Sequence, residues 1–268
     1  MPGREGRGVM ITNETLIGIS LSAFIAVALP FVVFFALRRR LDLRARNIFV
    51  GALIFVVTVV VLESAMHYFV LVANPVTKAW FDAHAVGFAV YAALAAALFE
   101  ETGRYVGMRY LAKPLPGSST PVAYGIGHGG AEALLIGLNI GVIGVLGYLM
   151  MTGQADSLHL DAPTTAKIRD GLVGASFGSS LLGGIERISA IVLQIGLSLL
   201  VWQAVHARRI VFYFAAVAFH FAFDFPAALA QKKLLPLTGI EIEVGYALLA
   251  LLVLAAIWAF APRAPAAA

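Results

Sequence analysis

Cysteine is absent from this chain of 268 residues. Its absence excludes disulfides, a thiolate nucleophile and any cysteine-based metal site. Charge is scarce as well: Asp, Glu, Lys and Arg make up 13% of the residues, where soluble domains carry about a quarter. That excludes an ordinary soluble fold. Strand-like alternation is missing, because the apolar runs are long and continuous, which argues against a membrane β-barrel. There is no P-loop and no clear internal repeat. The glycine-rich run Gly125-Ile126-Gly127-His128-Gly129-Gly130 follows no predicted strand, so it is not a dinucleotide fingerprint.

What remains is 60% hydrophobic, with a mean hydropathy of +0.89. The chain reads as an all-α, polytopic membrane protein of one domain over residues 1–268. Its net charge of +4 suits basic loops against anionic lipid, and nothing points to nucleic acid. Residues 1–13 form a polar leader, and Met10 offers an alternative start. The first apolar segment is longer than a signal h-region and lacks a clear cleavage site, so it is expected to be retained. Residues 262–268 read as a disordered tail.

Seven segments are long enough to cross a bilayer at about 20 residues each. They lie near 14–37, 48–72, 84–111, 121–151, 180–205, 209–230 and 243–261. Arg38, Arg39, Arg40, Arg44 and Arg46 crowd the first connection, Arg109 and Lys113 the third, Arg208 and Arg209 the fifth. The positive-inside rule makes these odd connections cytoplasmic and the N-terminus external. In the long connection 152–179, Pro163-Thr164-Thr165 is a helix-start signal. Residues 165–177 suit a short interfacial helix or a plain loop equally, and Gly178–Gly184 reads as a glycine- and serine-rich hinge.

Leu98-Phe99-Glu100-Glu101-Thr102-Gly103-Arg104 is the stretch that carries chemistry. Two adjacent carboxylates inside a membrane span are costly and mark a functional site by default. Arg104 stands at i+4 from Glu100 and i+3 from Glu101, so it can neutralise one acid and leave the other free. Other spans hold Glu63 and His67, His128 and Glu132, Glu186 and Arg187, and His220 and Asp224. The pairs at i,i+4 share a helix face. At about 1.5 Å per residue, Glu100, His128, Glu132 and His220 fall at one depth to within roughly a helical turn. Glu63, His67, Glu186 and Arg187 come out nearer the outer side as a second layer, with Arg187 able to neutralise Glu63 or Glu186. His84, His159 and His206 fall at helix ends or in loops and receive no role.

Two chemistries are open to such a set. Neutral imidazoles with carboxylates can hold Zn²⁺ with one position left for water, the candidate ligands being His128, His220 and Glu132. Alternatively, a glutamate beside a histidine activates water directly as general base. Both hydrolyse a peptide bond.

Glu100-Glu101-x-x-Arg104, Tyr124-x-x-x-His128 and His220-x-x-x-Asp224, in successive membrane contexts, resemble the intramembrane CAAX-protease and bacteriocin-processing (CPBP) superfamily. His128-Gly-Gly-Ala-Glu132 and Gly184-Ile185-Glu186-Arg187 resemble its YhfC branch of intramembrane metalloproteases; the PrsW proteases and the APH-1 scaffold subunit are more distant relatives. The resemblance covers about residues 85–230. It implies that Glu100 or Glu101 activates water. It implies that His128 and His220 bind metal or assist the glutamate, and that Asp224 supports the oxyanion or the second histidine. Arg104 is one residue closer to the acid pair than in the CAAX-type motif, and Tyr124 replaces its Phe. A prenylated CAAX substrate is therefore not the default.

The expectation is an integral plasma-membrane peptidase, in a bacterium an inner-membrane one. It would act on a peptide or protein at or in the bilayer, with Zn²⁺ or a glutamate-activated water. A proton- or cation-coupled transporter and an APH-1-like scaffold are the competing classes.

Overall fold

The structure is a computed structural model. It describes residues 10–154 and 160–260, with side chains to residue 255. The expected leader, for residues 1–9, and the tail and His159 lie outside that range. Among the described residues the chain is helical and has no strand.

Six helices are long and apolar enough to cross a membrane: α1 (Asn13–Leu37), α2 (Ala45–Ala73), α4 (Ala85–Leu111), α5 (Ser119–Met151), α7 (Phe177–His206) and α8 (Val211–Gln231). Helix α9 (Gly239–Phe260) occupies the place of the seventh expected segment. Two short helices intervene, α3 (Pro75–Ala83) and α6 (Ala162–Leu172). The expected spans match these helices to within a few residues at every end. Each run of apolar side chains is bounded by charge or by Pro and Gly, which sets its limits.

Helix α3 was not anticipated. Its start is capped by Asn74, whose side chain accepts from the N–H groups of Val76 and Thr77 at 3.0 and 3.3 Å, with Pro75 in the first turn. Lys78 donates to Asp82 at 2.6 Å one turn on, and that bond holds the Asp82 carboxyl below its usual range.

The chain divides into two compact units, one of Met1–Leu29 with Ala133–Arg187, the other of Pro30–Glu132 with Ile188–Ala268. In the first, Ile11, Ile19 and Leu172 form a small core, with Leu16, Ile140, Met150, Ile168 and Val173 packed on it. Fully buried Thr15 donates its hydroxyl to the Ala175 carbonyl at 2.5 Å. Residues from 162 onward resolve as a helix rather than a plain loop. Asp161 caps it by accepting from the Thr164 N–H at 2.8 Å. The helix ends at Leu172, earlier than residue 177, because Gly174 turns the chain at φ 80°.

The expected hinge at Gly178–Gly184 is instead the opening of α7. Ser176 caps that opening by accepting from the Ser179 N–H at 3.1 Å. A Cβ on Gly184 would meet the Ser22 carbonyl at 2.6 Å, so its lack of a side chain serves close packing and not flexibility.

The second unit carries the larger core, in which Val50, Ile54, Tyr124, Leu193, Leu197, Val201, Phe223 and Val253 are buried. Helices α2 and α5 touch backbone to backbone there. A Cβ on Gly127 would lie 1.9 Å from the Ile48 carbonyl, and one on Gly51 2.2 Å from that of Tyr124. This contact fixes the height of His128 against its neighbours.

Candidate active site

Four helices supply the site, each through residues that lie in the second unit. Helix α4 brings Glu100, Glu101 and Arg104; α5 brings Tyr124, His128 and Glu132; α7 brings Gln194 and Ser198; α8 brings His220 and Asp224. Glu101, Arg104 and His128 are fully buried, and His220 and Glu100 nearly so. Groups of this kind persist inside a protein only when paired and hydrogen-bonded.

The pairing gives the two glutamates different surroundings. Glu101 is clamped: Arg104 Nε lies 3.1 Å from its Oε2, as an ion pair without hydrogen-bond alignment, and His220 Nδ1 lies 2.8 Å from its Oε1. The Arg104 guanidinium is fixed further by donating to the Gln194 carbonyl at 2.6 Å, to Ser198 Oγ at 2.7 Å and to Gln194 Oε1.

Glu100 faces nitrogen on several sides. Its Oε2 lies 2.8 Å from His128 Nε2, accepts from Gln194 Nε2 at 3.1 Å, and is 3.9 Å from both His220 Nε2 and an Arg104 Nη. His128 Nε2 thus meets this oxygen at hydrogen-bond distance, while His220 Nε2 stands near it at ion-pair range. Asp224, whose side chain is about a third exposed, stands 3.3 Å from His220 Nε2. The His128 ring is held edge-on by Phe55 and stacks on Tyr124.

Glu132 joins through Gln194, whose amide donates to its Oε2 at 2.9 Å while also donating to Glu100. Gln194 and Ser198 are not ionisable, and the pattern of charged residues in the sequence does not point to them. Their signal is two polar side chains at i,i+4 in an otherwise apolar run.

The expected second layer divides. Glu63 Oε1 pairs with His67 Nε2 at 3.1 Å, and His67 Nδ1 meets the Tyr91 hydroxyl at 2.9 Å. Glu63 is buried, and its Oε2 has no hydrogen-bond partner among the described residues. Glu186 and Arg187 belong to the first unit, where Arg187 pairs with Glu186.

Fold and site together define a class: a polytopic helical membrane protein with an acid–histidine centre buried within its helices. The family model described as YhfC intramembrane metalloprotease matches residues 25–244. The chain is also 35% identical over 247 residues to the uncharacterised membrane protein YhfC of Bacillus subtilis strain 168, covering 91% of this chain and 95% of that one. The chain belongs to the YhfC family. No solved structure matches it.

The family description implies a metal, and the donor types present fit one. Two imidazoles with carboxylates are a zinc-type set. Glu101 holds Nδ1 of His220 as an outer carboxylate holds a ligating histidine. Among the described residues, however, no group of three or more His, Asp and Glu is spaced around an ion. Glu100 Oε2 itself lies against His128 Nε2 and within 3.9 Å of His220 Nε2.

Proposed function

We propose that this protein is an intramembrane peptidase in which Glu100 is the general base and Glu101 the positioning acid. The observation that carries the reading is the hydrogen-bond contact of His128 Nε2 with Glu100 Oε2 at 2.8 Å, with His220 Nε2 within 3.9 Å of the same oxygen. Glu101 faces Arg104 with Oε2 and holds His220 with Oε1, and it is fully buried, so it is placed to position its neighbours rather than to act on water. Glu100 is addressed by hydrogen-bond donors that orient it, and its closest ion-pair contact to Arg104 is long.

The reaction follows from these positions. Water adds its oxygen to the peptide carbonyl carbon while Glu100 takes its proton. The carbonyl oxygen gains the negative charge; where no metal occupies His220 Nε2, that nitrogen, as part of an imidazolium, donates to it from beside Asp224. Glu100 then returns the proton to the peptide nitrogen as the C–N bond breaks, leaving a carboxylic acid and an amine. A divalent metal of the zinc type would be held by His128, His220 and Asp224. When bound, it would lower the pKa of water and polarise the carbonyl. Glu132, which accepts from the same Gln194 amide as Glu100, serves in this reading to hold that amide in place.

The substrate is a peptide or protein segment in or beside the bilayer, because the groups invoked are carried by membrane-spanning helices. The test uses full-length protein in proteoliposomes, a peptide library, and the variants Glu100→Gln, His128→Ala and His220→Ala, with metal content measured per chain. The expected result is hydrolysis by the parent protein, a loss of at least about 100-fold in Glu100→Gln, and less bound metal in both histidine variants. Cleavage by all three variants at the parent rate would overturn the reading.

A further inference from the structure

A second feature stands apart from this centre, at the end of the second unit where α4 and α7 finish and α8 begins. A cavity of about 340 Å³ is lined by Tyr105, Arg109, Ala204, Val205, Arg208 and Ile210. Two of those residues are arginines and none is acidic. Among the described residues, neither guanidinium is held by a carboxylate or a hydrogen bond.

The ordinary structural task of such arginines, capping the end of a helix, is done by another residue here. Arg46 donates to the Leu111 carbonyl at 3.1 Å. The adjacent Arg209 is engaged elsewhere, over the Phe212 ring at 5.5 Å. Arg208 also sits at φ 52°, a left-handed conformation that a residue with a side chain adopts only under local constraint. The tight turn into α8 thus sets an arginine beside the cavity at some conformational expense.

We propose that this cavity binds the phosphodiester headgroup of an anionic phospholipid. Guanidinium forks match phosphate oxygens in pairs. The cavity lies at the limits of three membrane-spanning helices, Leu111, His206 and Val211, where headgroups are found. Ala204, Val205 and Ile210 supply an apolar wall against the glycerol end. A zwitterionic headgroup fits less well, because its ammonium finds no carboxylate in the lining. Basic pockets between membrane helices bind anionic headgroups on this principle. The proposal is independent of the peptidase reading.

The test is native mass spectrometry of the full-length protein in neutral detergent, titrated separately with phosphatidylglycerol, phosphatidylcholine and inorganic phosphate. The variants are Arg109→Gln and Arg208→Asn. Asparagine tolerates the left-handed backbone, so the turn is kept while the charge is lost. The expected result is one phosphatidylglycerol retained per chain in preference to phosphatidylcholine. Affinity should fall about fivefold for each arginine removed and about 25-fold for both, with Arg208→Lys, which keeps the charge and loses the fork, falling between the parent and Arg208→Asn, and all variants melting like the parent. Equal retention by parent and double variant would overturn the proposal. So would displacement of the lipid by millimolar inorganic phosphate, which would assign the cavity to the free ion.

Discussion

Glu100 and Glu101 are adjacent in sequence and differ only in what meets them. Glu101 is fully buried between Arg104 and His220, so its removal strands a guanidinium and an imidazole together. Breaking a buried pair costs about 3–5 kcal/mol. Glu101→Ala is therefore expected to lower the unfolding midpoint in detergent sharply. Glu100→Gln keeps an amide where the carboxylate stood, and should melt close to the parent while losing hydrolysis. Equal melting of the two variants would remove the division of roles. Gln194→Leu should fall between them, since each orphaned buried group costs about 1–3 kcal/mol and this amide serves Glu100, Glu132 and Arg104. The ionisable members of the site were legible in the sequence, because charges in apolar spans are conspicuous. Gln194 and Ser198 were not, because a neutral polar side chain within a membrane helix costs less and stands out less.

The helices were legible for the same reason: an apolar run of span length admits few other structures. Helix α3 escaped notice because nine residues make no span, and only Asn74-Pro75 announced it. The run Gly178–Gly184 misled because glycine in sequence does not reveal whether it bends the chain or admits a neighbour. The same ambiguity can be tested on α5. A Cβ on Gly127 would lie 1.9 Å from the Ile48 carbonyl, whereas one on Gly141 would meet Ala23 at an ordinary 3.9 Å. Gly127→Ala must push α2 and α5 apart, at about 1–3 kcal/mol, and shift the adjacent His128 away from Glu100. It should lose both stability and hydrolysis. Gly141→Ala removes a flexible residue from a helix and should be neutral or stabilising by up to about 1 kcal/mol. Thermal melts of the two variants, run side by side, check the contrast, and equal effects would remove packing as the reason for Gly127.

The topology of the whole chain rests on charge, and the lack of cysteine makes it directly measurable. Helix α2 has 29 residues, and at 1.5 Å each it rises about 43 Å, enough to carry Arg44 and Asn74 to opposite faces of a bilayer. The connection before it holds Arg38, Arg39 and Arg40; the one after it holds Lys78 balanced by Asp82 at 2.6 Å. Counting unbalanced cations, the positive-inside rule predicts the first connection in the cytoplasm and the second outside. Each replacement made in the parent chain introduces its only thiol, so no background must be removed. Arg40→Cys should be labelled by a membrane-impermeant maleimide only in inverted vesicles, and Lys78→Cys only in right-side-out cells. Both sites are exposed, and neither touches the acid–histidine centre, so labelling reports position alone. The opposite pattern would put the N-terminus inside. The cavity of Arg109 and Arg208 would then face away from the anionic cytoplasmic leaflet, and its expected preference for that lipid would have to be explained without the leaflet's composition.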